Sequence, residues 1–174
     1  IQKAVIDCEK SSDSTVYLPA GTYLVGQSIR VQGSRITIKG SDAKKSTLRD
    51  HPKLGAKPIM QIGGSEVQRS RGVVVTHLGI RNGTASAENA NGSKNGIEVA
   101  HIVGFTLQYA FVHEIEGHYG VVGRFVQRLE VIETEFRRWT HAGLFLMPEC
   151  EDVRIAGNLF DTATSQTMPN TYTF

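Results

Sequence analysis

Three side chains stand two residues ahead of three glycines: Lys94 before Gly96, His118 before Gly120 and His141 before Gly143. Tyr119 sits beside His118, and His101 and Arg124 follow the apolar stretches that begin after these glycines. A cation, an imidazole and a phenol gathered at one edge of a surface can do proton chemistry. The cation neutralises a carboxylate and acidifies the neighbouring C–H bond. A histidine or tyrosine removes that proton, and a second such group protonates a departing oxygen. On this reading His118 is the base, Tyr119 the acid and Lys94 or Arg124 the neutralising cation, with His141 beside them. The competing reading is a set of solvated turn residues, because any repeat sets its turn positions in rows.

The row exists only if the elements around it repeat in register. VVVTHLGI from Val73, FTLQYAFV from Phe105, LEVIETEF from Leu129 and VRIAGNLF from Val153 share one apolar pattern, spaced by 32, 24 and 24 residues. NGIEV, YGVVG and AGLFL carry their glycines at steps of 24 and 23. Short strands recurring at such a period signal a solenoid whose stacked coils bury a common core. Each coil is expected to hold a strand after its glycine, a separate second strand at Phe105, Leu129 or Val153, and a third short one. Alternation then points Val16, Leu18, Ile36, Ile38, Val73, Val75, Ile97, Val99, Phe105, Leu107, Leu129, Val131, Leu144, Leu146, Val153 and Ile155 inward. The outward row of the first strands reads Tyr17, Gln61, Glu98, Val122 and Phe145. Asn158 falls in the turn between second and third strands, where its equivalents are Ala110 and Thr134, so no asparagine ladder is expected.

Composition agrees with this class. The chain of 174 residues has 16 Val and 13 Ile against 10 Leu, a balance that suits pleated, half-buried surfaces. One helix is expected, over residues 1–10, with Ile1, Ala4, Val5 and Cys8 on one face. It closes at the polar run Ser11-Ser12-Asp13-Ser14, and coils fill 14–163 of a single domain. A formal net charge of +2 excludes a basic nucleic-acid tail or an acidic solvating tail. No apolar run approaches the roughly 18 residues that span a bilayer, so neither nucleic acid nor membrane is an expected partner. Ile1 opens an amphipathic stretch, not an apolar signal region, and the missing initiator Met marks a mature form or a piece of something longer. Cys8 and Cys150, several coils apart, are expected to stay unbonded, with Cys8 buried in the cap.

IQKAVIDC, followed by TVYLPAGTYLV and SRITIKGS, resembles the opening of the pectate-lyase-like single-stranded right-handed parallel β-helices, the group of rhamnogalacturonase-like and epimerase-like proteins. The likeness is specific over residues 1–40 and rests on coil pattern over 72–163. Asp13-Ser14 replace the two glycines usual there, and the Asp-rich stretch that normally precedes the cap helix is absent. The resemblance implies a helix capping the first coil, and a sheet begun by the strand before the PAGTY turn that carries a sugar-binding groove. It further implies a polysaccharide partner and a secreted setting. In such a groove the constellation above suits β-elimination or epimerisation of a uronate, with Glu98, Tyr17, Gln61 and Phe145 contacting the chain and no cofactor.

Hydrolysis needs two carboxylates across the bond, and this face offers Glu98 with Glu114 and Glu116 in a later turn; GHYG at 117–120 is similar to a Gly-His-Gly motif of hydrolases of this fold, interrupted by Tyr119. His77, His101 and His113 lie in different turns without metal-ligand spacing, and no Asp cluster suggests calcium. Arg137-Arg138-Trp139 reads either as a sugar platform or as a turn with a packed Trp, the latter favoured. Asn82-Gly83-Thr84 and Asn91-Gly92-Ser93 are glycosylation sequons in the long loop 83–95. A non-catalytic glycan-binding, adhesin or tailspike-stem role remains the alternative to an enzyme.

Overall fold

The computed structural model describes residues 1–11, 14–83, 94–115 and 119–161. One helix, α1 (Gln2–Glu9), opens the chain. The first sheet holds β1 (Ser14–Leu18), β3 (Ile29–Val31), β4 (Ile36–Gly40), β6 (Met60–Ile62), β7 (Ser70–Thr76), β9 (Ile97–Gln108), β11 (Tyr119–Ile132), β13 (Ala142–Leu146) and β14 (Glu151–Ala156). The second runs β15-β12-β10-β8-β5-β2, from Leu159–Asp161 through Glu135–Trp139, Phe111–Ile115, Gly79–Asn82 and Ser46–Asp50 to Gly21–Val25. Every pairing is parallel, and the arrangement is β-helix-like. Among the described residues no helix is long and apolar enough to cross a membrane.

The pairing follows the sequence phase. Val73 pairs Phe105, Phe105 pairs Leu129 and Leu129 pairs Val153; Ile97 pairs Val121, which pairs Leu144. The longer step of 32 between the first two copies leaves this register intact. Two expectations change. The first and second strands are not separate in β9 and β11, which run unbroken through the bends at His101 and Gly104, and at Phe125 and Arg128, all with positive φ. A single left-handed residue turns the chain while its neighbours keep their ladder hydrogen bonds, so the sheet continues round the bend. Tyr17 also changes place: it pairs Lys39, and Lys39 pairs Thr76, which pairs Gln108. Its strand belongs to the later half of β9, whereas Gln61 and Glu98 belong to the earlier half.

Inward residues pack as alternation demands. Val16, Leu18, Ile36, Ile38, Val73, Val75, Ile97, Val99, Phe105, Leu107, Leu129 and Val131 are all buried. Leu144 and Leu146 are half-buried, and Val153 and Ile155 are exposed, against expectation. Their strand β14 pairs β11 on one side, and no described strand covers the other. Asn158 behaves as a turn residue: its Oδ1 accepts the Thr134 N–H at 2.8 Å and its Nδ2 donates to the Val131 carbonyl at 2.7 Å.

Helix α1 closes the outer edge of β3, an edge that would otherwise invite pairing with another chain. The Gln2 amide mimics a strand, accepting from the Arg30 N–H at 2.8 Å and donating to the Arg30 carbonyl at 3.0 Å. Glu9 Oε1 accepts from the N–H groups of Gln32 and Gly33. Within the helix only Val5 is fully buried; Ala4 is exposed, and Cys8 is half-buried against the core and not enclosed, because a single helical face meets the first strands. Cys8 and Cys150 are both free thiols.

Gly96, Gly120 and Gly143 stack as the spacing predicts. A Cβ built on Gly96 would fall against the Gly120 carbonyl oxygen, and one on Gly120 against that of Gly143, well inside van der Waals contact. Gly120→Ala must push two backbones apart, and should cost about 1–3 kcal/mol, the usual range for overpacking, read as a lowered denaturation midpoint. A second expectation concerns His113, stacked on Phe111 at 4.2 Å. Burial holds its pKa below the ordinary 6.5, Arg81 and Arg138 push the same way, and Glu114 and Glu135 oppose them. The unfolded chain therefore binds this proton more readily than the folded one. Unfolding free energy should fall as pH drops through 6.5 and level off below the folded pKa, and His113→Gln should flatten that slope in denaturant titrations across pH.

Candidate functional site

The earlier halves of the long strands, together with β3, β6 and β13, set one outward row in register. Arg30 pairs Gln61, Gln61 pairs Glu98, Glu98 pairs Val122 and Val122 pairs Phe145. Successive members lie about 4.8 Å apart, the strand spacing of a sheet. Arg30 therefore heads the row where Tyr17 was expected, since Tyr17 stands on the other ladder.

Glu98 is the held group of this row. Its Oε1 accepts from Asn95 Nδ2 at 2.8 Å, and its Oε2 faces Gln61 Nε2 at 3.4 Å. Asn95 is itself fixed: it is buried, its Oδ1 accepts the Tyr119 N–H at 3.0 Å, and its carbonyl accepts from Asn82 Nδ2 at 2.9 Å. Beside these strands an open recess is lined by Arg30, Gln32, Gln61, Glu98, His101 and Arg124, together with Gly63 and Gly64. A Cβ on Gly63, whose φ is 124°, would run into the Ala100 carbonyl oxygen, so only glycine lets the two backbones approach there. His101 stacks on Phe125 at 4.9 Å, both with φ of 53°, and the Arg124 guanidinium lies 5.9 Å from the Phe125 ring centre. The recess thus gathers two guanidiniums, an imidazole, two amides and one carboxylate.

A second cluster adjoins it along the row. Tyr119 stacks on Phe145 with ring centres 4.6 Å apart and 12° between planes, and His141 meets Tyr119 edge-on at 5.9 Å. Phe145 is exposed, so the pair offers a flat aromatic surface to solvent. Such surfaces accept the apolar face of a sugar ring.

Of the residues singled out in the sequence, Gln61, Glu98 and Arg124 meet in the recess, and Tyr119, His141 and Phe145 meet beside it. Lys94 does not line the edge as expected. It is 8 % exposed, too covered to serve as an open cationic edge. His118 lies outside the described residues, as do Glu116 and the sequon at Asn91. Asn82 is fully buried and spends its amide on the Lys57 and Asn95 carbonyls, so its sequon reads as a structural asparagine. Trp139 packs against the core, so it offers no stacking surface to a sugar, while Arg137 and Arg138 pair with Glu135 and Glu114 and stay partly exposed. Among the described residues no three His, Cys, Asp or Glu side chains group as a metal site would need. Arg30 and Asn95 are not singled out in the sequence, and His101, named there beside Arg124, is given no role. The Asn95-Gly96 dipeptide was the available signal, an asparagine placed where a tight turn meets a strand.

Two parallel sheets joined by short corners, with a polar and aromatic ladder along one outer row, define a β-helix-like protein of the pectate-lyase-like class. The family model described as "Rhamnogalacturonase A/epimerase, pectate lyase-like" matches residues 1–122, and the chain belongs to that family. Among solved structures, the ORF18 protein of Geobacillus virus E2 superposes with a TM-score of 0.58 at 14 % identity, over 94 % of this chain and 39 % of that one. The catalytic domain of a GH87 alpha-1,3-glucanase in complex with nigerose gives a TM-score of 0.45 at 13 % identity, over 90 % of this chain and 34 % of that one. The chain thus spans well under half the length of these proteins. No curated protein sequence matches it.

The buried Asn95 side chain should matter beyond its size. Asn95→Ala removes its bonds to the Tyr119 N–H and to Glu98 Oε1, and loss of such bonds, one of them to a charged group, costs about 1–3 kcal/mol. Thermal unfolding of the variant should show a loss in that range, larger than that of Gln61→Ala.

Proposed function

We propose that the chain acts on an acidic, uronate-containing polysaccharide by β-elimination or epimerisation, in a groove along the Arg30-to-Phe145 row. The observation that carries this reading is the recess itself: two arginines and a histidine around a carboxylate locked by Gln61 and Asn95. Guanidinium groups bind carboxylates in a bidentate manner and stay charged at any working pH. On this proposal Arg124, with Arg30, neutralises the uronate carboxylate and acidifies the C–H bond on the carbon that bears it. His118 takes that proton and Tyr119 donates one to the departing glycosidic oxygen. The C–H and C–O bonds break and a C=C bond forms between the two sugar carbons; in epimerisation the proton returns to the opposite face instead. His141 orients Tyr119, and Phe145 seats a neighbouring sugar. Lys94, being buried, leaves the cationic role to the arginines. Glu98 is the single carboxylate among the described residues lining the recess, so a hydrolytic pair draws no support from it.

The same reading holds that successive strands are coils of a right-handed parallel β-helix, and that the protein works outside the cell, where such polymers are found. The exposed Tyr119–Phe145 surface also supports a second reading, glycan binding without turnover.

The assay is the ultraviolet absorbance of an unsaturated uronate on mixing the chain with polygalacturonate, alginate or a glycosaminoglycan, joined by proton-exchange NMR for epimerisation. His118→Ala should lower turnover by about a hundred- to ten-thousand-fold, the usual worth of a placed proton-transfer group, and Arg124→Ala should raise KM and lower kcat, with unfolding midpoints unchanged. Binding without either product would leave the glycan-binding reading in its place.

A further inference from the structure

The second sheet carries a charge pattern that the recess does not use. Its inward residues Leu48, Ile80, Val112 and Phe136 are buried in register. Alternation therefore turns the residue after each of them outward. Those residues are Arg49, Arg81, His113 and Arg137, and each pairs directly with the next. Like charges placed opposite one another across strands are destabilising. A ladder of three arginines and a histidine, one strand spacing apart, is thus an arrangement that folding alone disfavours.

Acids flank this ladder without matching its cations one for one. Glu114 pairs with Arg81 and Arg138, Glu135 with Arg137 and Lys44, and Asp161, which follows Arg137 in the register, lies 3.8 Å from it. Glu114 and Glu135 are the covered partners, 25 % and 18 % exposed, against 59 % for Arg138 and 64 % for Lys44. Solvent therefore meets Arg138 and Lys44 before the acids that pair with them. Arg49 makes no ion pair among the described residues. His113 lies between Arg81 and Arg137 in the ladder, so a proton on it adds one more cation to the row.

We propose that this outer face is a second, non-catalytic binding site for a polyanionic polysaccharide, whose regularly spaced acid groups lie against successive strands. The choice of a sugar polymer rests on the function proposed above; the cationic ladder does not. The alternative polyanion, a nucleic acid, fits less well. Single strands are held by exposed aromatic rings on which bases stack, and Phe111, in the flanking row, is already covered by His113 and by the Lys44 ammonium at 5.4 Å. Bound here, a long chain would be retained while a different stretch of polymer occupied the recess, so the effective concentration of substrate at that site would rise.

The test uses the full chain, with immobilised polygalacturonate and duplex DNA as probes at matched low salt. Arg49→Gln/Arg138→Gln removes two cations without stranding an acid, because Glu114 keeps Arg81. Retention on polygalacturonate should weaken by about tenfold and its salt dependence should become shallower, as for any loss of two counterion-releasing contacts. The unfolding midpoint should stay unchanged, as should turnover of, or binding at the recess to, a trimer too short to reach both faces. Wild-type retention should strengthen from pH 7.5 to pH 5, and His113→Gln should abolish that gain. Retention of the double variant equal to wild type overturns the proposal, and so does tighter wild-type binding to DNA than to polygalacturonate. Retention that survives while no sugar is turned over sinks the catalytic reading alone.

Discussion

The structure hangs on corners at which one left-handed residue stacks on another. Arg35, Gly72, Gly104, Arg128 and Asp152 all have positive φ, and the strand pairings on either side set them in one column. His77, Tyr109, Glu133 and Gly157 form another, tied by hydrogen bonds from the N–H of each residue to the next strand: His77 to the Gln108 carbonyl, Tyr109 to Ile132 and Glu133 to Ala156. A left-handed conformation costs a non-glycine residue roughly 1–2 kcal/mol. It is tolerated here because the bend keeps N–H and C=O groups aimed along the stack, where a looser turn would leave them to water. Among the described residues ten that are not glycine accept that cost, and the backbone ladder survives each change of direction.

Everything on the outside inherits its position from that ladder. Because β9 and β11 do not break at their corners, the row holding Glu98 and the row holding Thr106 and Glu130 belong to the same two backbones. Side chains far apart in sequence become neighbours by register alone, as Arg30, Gln61 and Glu98 do. The glycines set the tightest point. Gly96 and Gly120 bring backbones closer than any side chain allows, and Asn95, one residue before, is carried to where it can hold Glu98 and the Tyr119 N–H together.

How far this could be read in advance differs between interior and exterior. Period and alternation named the inward residues from Val16 to Val131 correctly, because burial depends on a two-residue rhythm that apolar side chains display openly. Val153 and Ile155 failed for a reason no local pattern carries: a residue is covered by its neighbours, and theirs are missing among the described residues. The fusion of first and second strands escaped notice because His101, Phe125 and Arg128 are not residues that advertise a positive φ. Tyr17 was assigned to the wrong row for a related reason. Between Leu18 and Ile97 the steps are irregular, so phase could not be carried back through β6 and β3. In the site, the spacing brought out Gln61, Glu98 and Arg124, which line one recess, but not Arg30 or the residue that holds Glu98, Asn95, since the role of Asn95 depends on partners distant in sequence.

The joint between corner and strand has a consequence for how such a chain can change over generations. A stretch of about 24 residues delivers one strand to each half of the first sheet and one to the second, with every side chain returned to its original orientation. Copying such a stretch in frame would lengthen the outer rows by one place and leave all others undisturbed. Losing one residue at Gly104 would instead turn the following half-strand inside out, sending Phe105 and Leu107 to water. Whole-unit duplication is thus cheap and single-residue slippage ruinous. The outer surface of such a chain can grow in steps of one strand spacing, while the corners themselves admit almost no variation in length.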